Sequence, residues 1–170
     1  LIFQQIRDSN LWSLQKSPPN RLSASSKDWS RVFVDGIFDA SNQILIDNQI
    51  HNGKVGYKIF TPFIFNDSQK VLVDRGWISM GQTRADLPQI SFDPKTSRIV
   101  ATVTRPELGV LAGSEILSDF WPKVSQTKSV EILSSVFEDP ILDMVLVLDP
   151  GSARATEYIQ IKPFAITPVK

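Results

Sequence analysis

The stretch Asn48–Trp77, NQIHNGKVGYKIFTPFIFNDSQKVLVDRGW, alternates apolar and polar positions, breaks at Asn52-Gly53 and embeds Arg75 in the apolar run Val71-Leu72-Val73-Asp74-Arg75-Gly76-Trp77. A period of two is the signature of a strand, because successive side chains leave opposite faces of the backbone. Asn52-Gly53 predicts a tight hairpin, since glycine takes positive φ without steric cost. It joins the run Ile44, Ile46, Asn48, Ile50 to the strand through Val55, Tyr57 and Ile59. Asn66-Asp67-Ser68 predicts a second turn before Val71–Ile78, and Asp39-Ala40-Ser41-Asn42 predicts one after Val32–Phe38. Short turns between period-two segments make antiparallel neighbours, so this region reads as a meander.

Outward from the meander the pattern loosens. Leu1–Leu14 has Phe3, Ile6, Leu11 and Leu14 at helical spacing, with Pro18-Pro19 as the stop, and Asn20–Asp28 is a serine-rich connector. The packed body is expected from Trp29. Ser79–Ser97 carries Pro88 and Pro94 and predicts a long excursion, either functional or draped over the core. Arg98–Arg105 reads as a strand. Thr127 or Ser129 then caps a helix with Val130, Leu133, Val136 and Phe137 on one side, closed by Pro140. Ile141–Leu148 and Glu157–Ile161 read as strands. The fold class is therefore a β-rich α+β chain, its antiparallel sheet curled into a barrel or sandwich of about seven strands with one or two helices. Residues 1–28 form an entry helix and connector, and 29–170 a single β-rich domain.

Composition narrows the function classes. A chain of 170 residues with 42% hydrophobic side chains builds a core without staples. Eighteen basic residues balance eighteen acidic ones, which excludes the basic footprint of a nucleic-acid binder. With no cysteine there is no disulfide, thiolate metal site or thiol nucleophile. The longest apolar run, Met144–Leu148, is far below the roughly 20 residues that span a bilayer. The opening at Leu1-Ile2-Phe3, with no initiator methionine or signal peptide, is expected of a piece of a longer protein.

No catalytic set stands out. His51, the one histidine, adjoins the hairpin turn and reads as a solvated turn residue; as a haem ligand it would have only Met80 or Met144 as weak axial partners. Asp35, Asp47 and Asp74 share the polar phase of neighbouring strands, which suits a solvated sheet face better than a metal site. Gly53-Lys54-Val55-Gly56 imitates a phosphate clamp but lies between two strands. Counting in twos places Arg75 on the face of Trp77, toward the core, unless a bulge at Gly76 turns the strand. There its guanidinium would form an ion pair, meet backbone carbonyls, or recognise a carboxylate such as a haem propionate. These features favour a scaffold or binding domain. The alternatives are an interaction module unrelated to haem and a hydrolase using carboxylates of the Ser79–Ser97 excursion.

Gly36, the ordered series Asn48, Gly53, Gly56-Tyr57 and Thr61-Pro62, the run Val71 to Arg75-Gly76-Trp77, Arg84 with Leu87-Pro88, and Trp121-Pro122 together resemble the surfeit locus protein 1 family of cytochrome c oxidase assembly factors. Phe3-Gln4 and Arg7 are similar to that family's segment after its first membrane helix. The resemblance implies a non-enzymatic domain held in the bacterial inner membrane by two flanking transmembrane helices absent from this chain. It would face the periplasm, or the intermembrane space for a mitochondrial member. The implied partners are the catalytic subunit of a haem-copper oxidase and other assembly factors. Haem a is implied for the full-length protein, with its proposed histidine in the second membrane helix, so this fragment is expected to hold no cofactor and no metal. The residues quoted above are implied to be structural or partner-binding.

Overall fold

A computed structural model describes residues 18–90, 95–106, 119–155 and 158–159. Among them eight strands form one sheet: β1 (Asn20–Arg21), β2 (Arg31–Phe38), β3 (Ile44–His51), β4 (Lys54–Phe65), β5 (Gln69–Ser79), β6 (Ser97–Thr104), β7 (Lys123–Ser125) and β8 (Ile141–Leu148). The alternation that predicted β2 is visible in its burial, with Val32, Val34 and Phe38 inside and Asp35 outside. At the first hairpin Asn52 (φ 49°) and Gly53 (φ 75°) both take left-handed backbone, the twist that two-residue hairpins need.

β2, β4 and β5 run antiparallel in turn, and β6 returns after the Ser79–Ser97 excursion to lie beside β2, which is a Greek key. β8 then slots between β5 and β6, antiparallel to β6 and parallel to β5. The result is a closed five-stranded barrel, β2-β6-β8-β5-β4, with β3 and β7 extending from β4 and β1 flanking β2. Closure depends on the length of β4. Its 12 residues reach β3 through Lys54–Phe60 and β2 through Phe63 and Ile64.

The barrel interior is filled by residues such as Val34, Phe63, Val73, Ile99 and Leu146. Phe38 and Phe63 meet edge to face at the β2–β4 seam, 4.9 Å between centroids. A second layer covers the outer face, where the helix Val130–Leu133 lays Val130 and Leu133 on Ile44, Phe60, Leu72 and Val145. Each such side chain stabilises the fold by about 1.5–3 kcal/mol on burial.

Four expectations change. The sheet is mixed, with parallel pairs β1–β2, β3–β7 and β5–β8, because long connections return strands in the same sense. The expected helix through Phe137 keeps one α turn and continues as a 3₁₀ turn, Ser134–Val136. Ser129 occupies the cap without a side-chain cap bond, while the Ser134 and Ser135 hydroxyls donate back to Glu131 O and Ile132 O. The connector is not wholly solvated, since Asn20 and Arg21 pair with Val32 and Phe33 and Leu22 is buried. The excursion is draped over the core, with Leu87 and Ile90 packed against Leu45, Tyr57 and Ile59. The expected entry helix Leu1–Leu14 lies outside the described residues, as does most of Glu157–Ile161, where Ile159 bridges to Trp77.

Candidate functional site

Two bulges flank β4 and organise the polar residues singled out in the sequence. Between the pairs Ile46–Lys58 and Gln49–Gly56, Asp47 and Asn48 stand opposite Tyr57 alone. Between Lys58–Trp77 and Phe60–Asp74, Arg75 and Gly76 stand opposite Ile59. An extra residue in one strand needs a backbone reversal, supplied by Asn48 at φ 59° and Gly76 at φ 120°. The second bulge also flips the strand's phase. Arg75 continues the inward set of Val71 and Val73, whereas Trp77 emerges beside Lys58 on the other face, so the two do not share one.

Arg75 is 1% exposed. Its Nη1 donates to Gln43 Oε1 at 2.9 Å and to Thr61 Oγ1 at 3.4 Å, and Thr61 donates to the same Gln43 oxygen at 2.8 Å. The guanidinium carbon lies 5.0 Å from the centroids of both Phe38 and Tyr158. Among the described residues an amide, a hydroxyl and two ring faces line this buried charge.

The aspartates do not form a solvated face. Asp47 is buried, accepts the Asn48 N–H at 2.7 Å and pairs with Arg84, whose Nη2 donates to Asn48 Oδ1 at 3.0 Å. Arg84 thereby pins the excursion to the first bulge. Tyr57, buried opposite this bulge, has its phenol pKa pushed up by burial and by Asp47, with Arg84 opposing. Asp74 is buried too, accepting the Gly76 N–H at 3.0 Å and pairing with Lys58 at 3.2 Å. Only Asp35 is exposed, gripped bidentately by Arg98 at 2.8 and 2.9 Å, a hydrogen-bonded pairing that lowers its carboxyl pKa.

Gly56 and Gly36 lie at close approaches of neighbouring chain. Trp77 donates its indole N–H to Gln49 O at 2.8 Å and covers Gly56, where a Cβ would lie 2.6 Å from the indole and 2.3 Å from Ile78 O. A Cβ on Gly36 would lie 2.1 Å from Ile64 O, at the crossing of β2 and β4. Pro62 O accepts the Asp39 N–H at 2.8 Å, and Gly53 sits in open space at the hairpin tip. His51 is not a solvated turn residue: it ends β3 half-buried, its ring 5.3 Å from that of Trp77.

Above Gln43 opens a cleft of about 450 Å³, lined by Ala40, Ser41, Gln43, Leu87, Pro88, Gln89, Ile90, Trp121 and Pro122, the last joined to Trp121 by a cis peptide bond. Its lining carries no imidazole, thiolate or thioether, so it offers haem iron no axial ligand. The His51 ring packs on Trp77 and does not line this cleft. Nor is there among them a group of three or more His, Asp or Glu side chains that could hold a metal ion. No helix among them is long and apolar enough to cross a membrane.

Sequence reasoning missed Gln43 and Lys128. Gln43 adjoins the apolar run Ile44-Leu45-Ile46, and a polar side chain directed into such a run signals a buried hydrogen-bond partner. Lys128 lies close to Lys58 and Asp74, and its ammonium pKa falls to about 8 through burial, Lys58 adding repulsion and Asp74 opposing. Nothing in the local sequence marks it.

A family model described as the SURF1 family matches residues 4–166. The chain belongs to the SURF1 family. Within that family's reach, the chain is 34% identical over 86 residues to the cytochrome oxidase assembly protein SHY1 of Saccharomyces cerevisiae. The alignment takes in 47% of this chain and 22% of the yeast protein. In this SURF1 chain Asn48, Gly56, Arg75, Gly76 and Trp77 lie at or beside the two bulges.

Proposed function

We propose that this chain is the extramembrane domain of an accessory factor in cytochrome c oxidase biogenesis. It docks on the maturing catalytic subunit, alongside other assembly factors, and assists haem a insertion without making or breaking a bond. The observation that carries this reading is the SURF1 match over residues 4–166, with the printed role of the yeast relative behind it. The site geometry agrees with a scaffold: Asp47, Asp74, Arg75 and Arg84 are engaged with neighbouring side chains and backbone instead of converging on an open reaction centre. Haem a, in this reading, is handled by parts of the full-length protein outside this chain, including the flanking membrane helices. The domain is placed on the periplasmic side of a bacterial inner membrane, with the intermembrane space as the mitochondrial equivalent.

Deleting the gene tests it. Cells grown where the oxidase is required should lose oxidase activity and haem a content together, and both should return with the intact gene. Normal activity and haem a in the deletion strain would remove the proposal.

A further inference from the structure

The β3–β4 hairpin ends in a surface that its packing does not explain. Ile50 is 70% exposed and Val55 37%, and they stand directly opposite each other. Beyond the Gly56–Ser79 pair the last bond from this side is Met80 N–H to Val55 O at 3.1 Å, so residues 50–54 form a two-stranded ribbon. Such ribbons are marginal in water and gain from cover on an apolar face. The half-buried His51 ring packs on Trp77 at the base of this ribbon, and Ile159, 48% exposed, lies across from Trp77. From Asn48 to Asn66 the chain has no Asp or Glu; Lys58 is paired with Asp74, which leaves the exposed Lys54 as the cation at the tip.

We propose that this hairpin tip is a lipid-contact element that inserts Ile50 and Val55 into an anionic membrane surface, with Lys54 at the headgroups. A convex projection with apolar side chains finds contact on every side in a deformable medium. Cationic charge with no acidic neighbour along the segment complements anionic headgroups, adding attraction to apolar burial. The contact is separate from oxidase assembly: it concerns a bilayer, and either reading can fail alone.

The absence of native cysteine makes the test direct. A spin label is placed in the 170-residue chain at Asn52→Cys, with Gly53→Cys, in open space at the same tip, as a second position should Asn52→Cys not fold. Ser68→Cys, in the exposed turn at the far end of β4, is the control. Circular dichroism melts check each variant. With phosphatidylglycerol vesicles the chain should co-sediment and the tip label should become shielded from an aqueous nickel reagent yet open to oxygen, while the Ser68→Cys label stays aqueous. The pair Ile50→Ser and Val55→Ser should weaken vesicle binding about tenfold or more, and Lys54→Glu should weaken it as well. The proposal is overturned if the tip label stays aqueous on these vesicles, if phosphatidylcholine vesicles give the same immersion, or if the double serine variant binds unchanged. Shielding that arises only on adding a purified oxidase subunit, with none on vesicles, overturns it in favour of a protein contact.

Discussion

At the residue scale the decisive positions are those where backbone or charge has one workable arrangement. Gly76 at φ 120° lies where side-chain-bearing residues are strained, so Gly76→Ala should cost about 1–3 kcal/mol, read as a lowered urea midpoint. Gly56→Ala should also destabilise, but by driving a methyl into the Trp77 indole, so a blue or red shift of tryptophan emission should accompany it. Arg75→Ala removes a fully buried side chain and leaves Gln43 and Thr61 short of a donor, with an expected loss of about 3 kcal/mol. A variant as stable as the parent yet deficient in oxidase assembly would return Arg75 to a recognition role. Lys128 gives a pH dependence with a definite sign. Its folded pKa of about 8 lies below the ordinary 10.5, so its charge burdens the fold fully below about pH 8, and the burden lifts as pH rises toward 10.5. Lys128→Met should therefore raise the melting temperature at neutral pH, and the gain over the parent should shrink across that interval.

At the element scale the two bulges explain why a plain alternation does not describe β3 and β5. Each inserts one residue and bends its strand: at the first Asp47 pairs with Arg84, and the second leaves Arg75 in the barrel interior while it turns Trp77 to the other face. Arg84 is more than half exposed, so its pairing with Asp47 contributes modestly to global stability, about 1 kcal/mol. Its local effect should be larger, because it ties the excursion after β5 to β3. Arg84→Ala should speed proteolysis or amide exchange of residues 80–90 well beyond any change in the global melting temperature; equal shifts in both would contradict a local tether. The strand spans and the Asn52-Gly53 hairpin were legible from period and turn chemistry, and a bulge at Gly76 was foreseeable from its glycine. The bulge at Asn48 was not, because asparagine in a strand phase carries no mark distinguishing an αL residue from an outward polar one.

At the scale of the whole molecule, closure through the β2–β4 seam couples strands far apart in the chain. Phe63 is completely buried there against Phe38, so Phe63→Ala should cost about 3–5 kcal/mol. Far-UV circular dichroism and tryptophan fluorescence should show coincident midpoints, since the barrel strands share one buried interior. Separate transitions would show that β3 and β7 unfold independently of the barrel.

Sequence alone determined the six longer strands, their turns and the β-rich class, but not the short strands Asn20–Arg21 and Lys123–Ser125, because period and glycine-bearing turns act over neighbouring residues. It also carried the likeness to the family in the series from Asn48 to Trp77. Only the tertiary structure decided that β8 enters between β5 and β6, that Asp47 and Asp74 are buried with cations from elsewhere in the chain, and that Arg75 rests among Gln43, Thr61, Phe38 and Tyr158. Those outcomes are set by pairing across long loops and by desolvation, in which the energy of a charge depends on what the rest of the chain brings beside it.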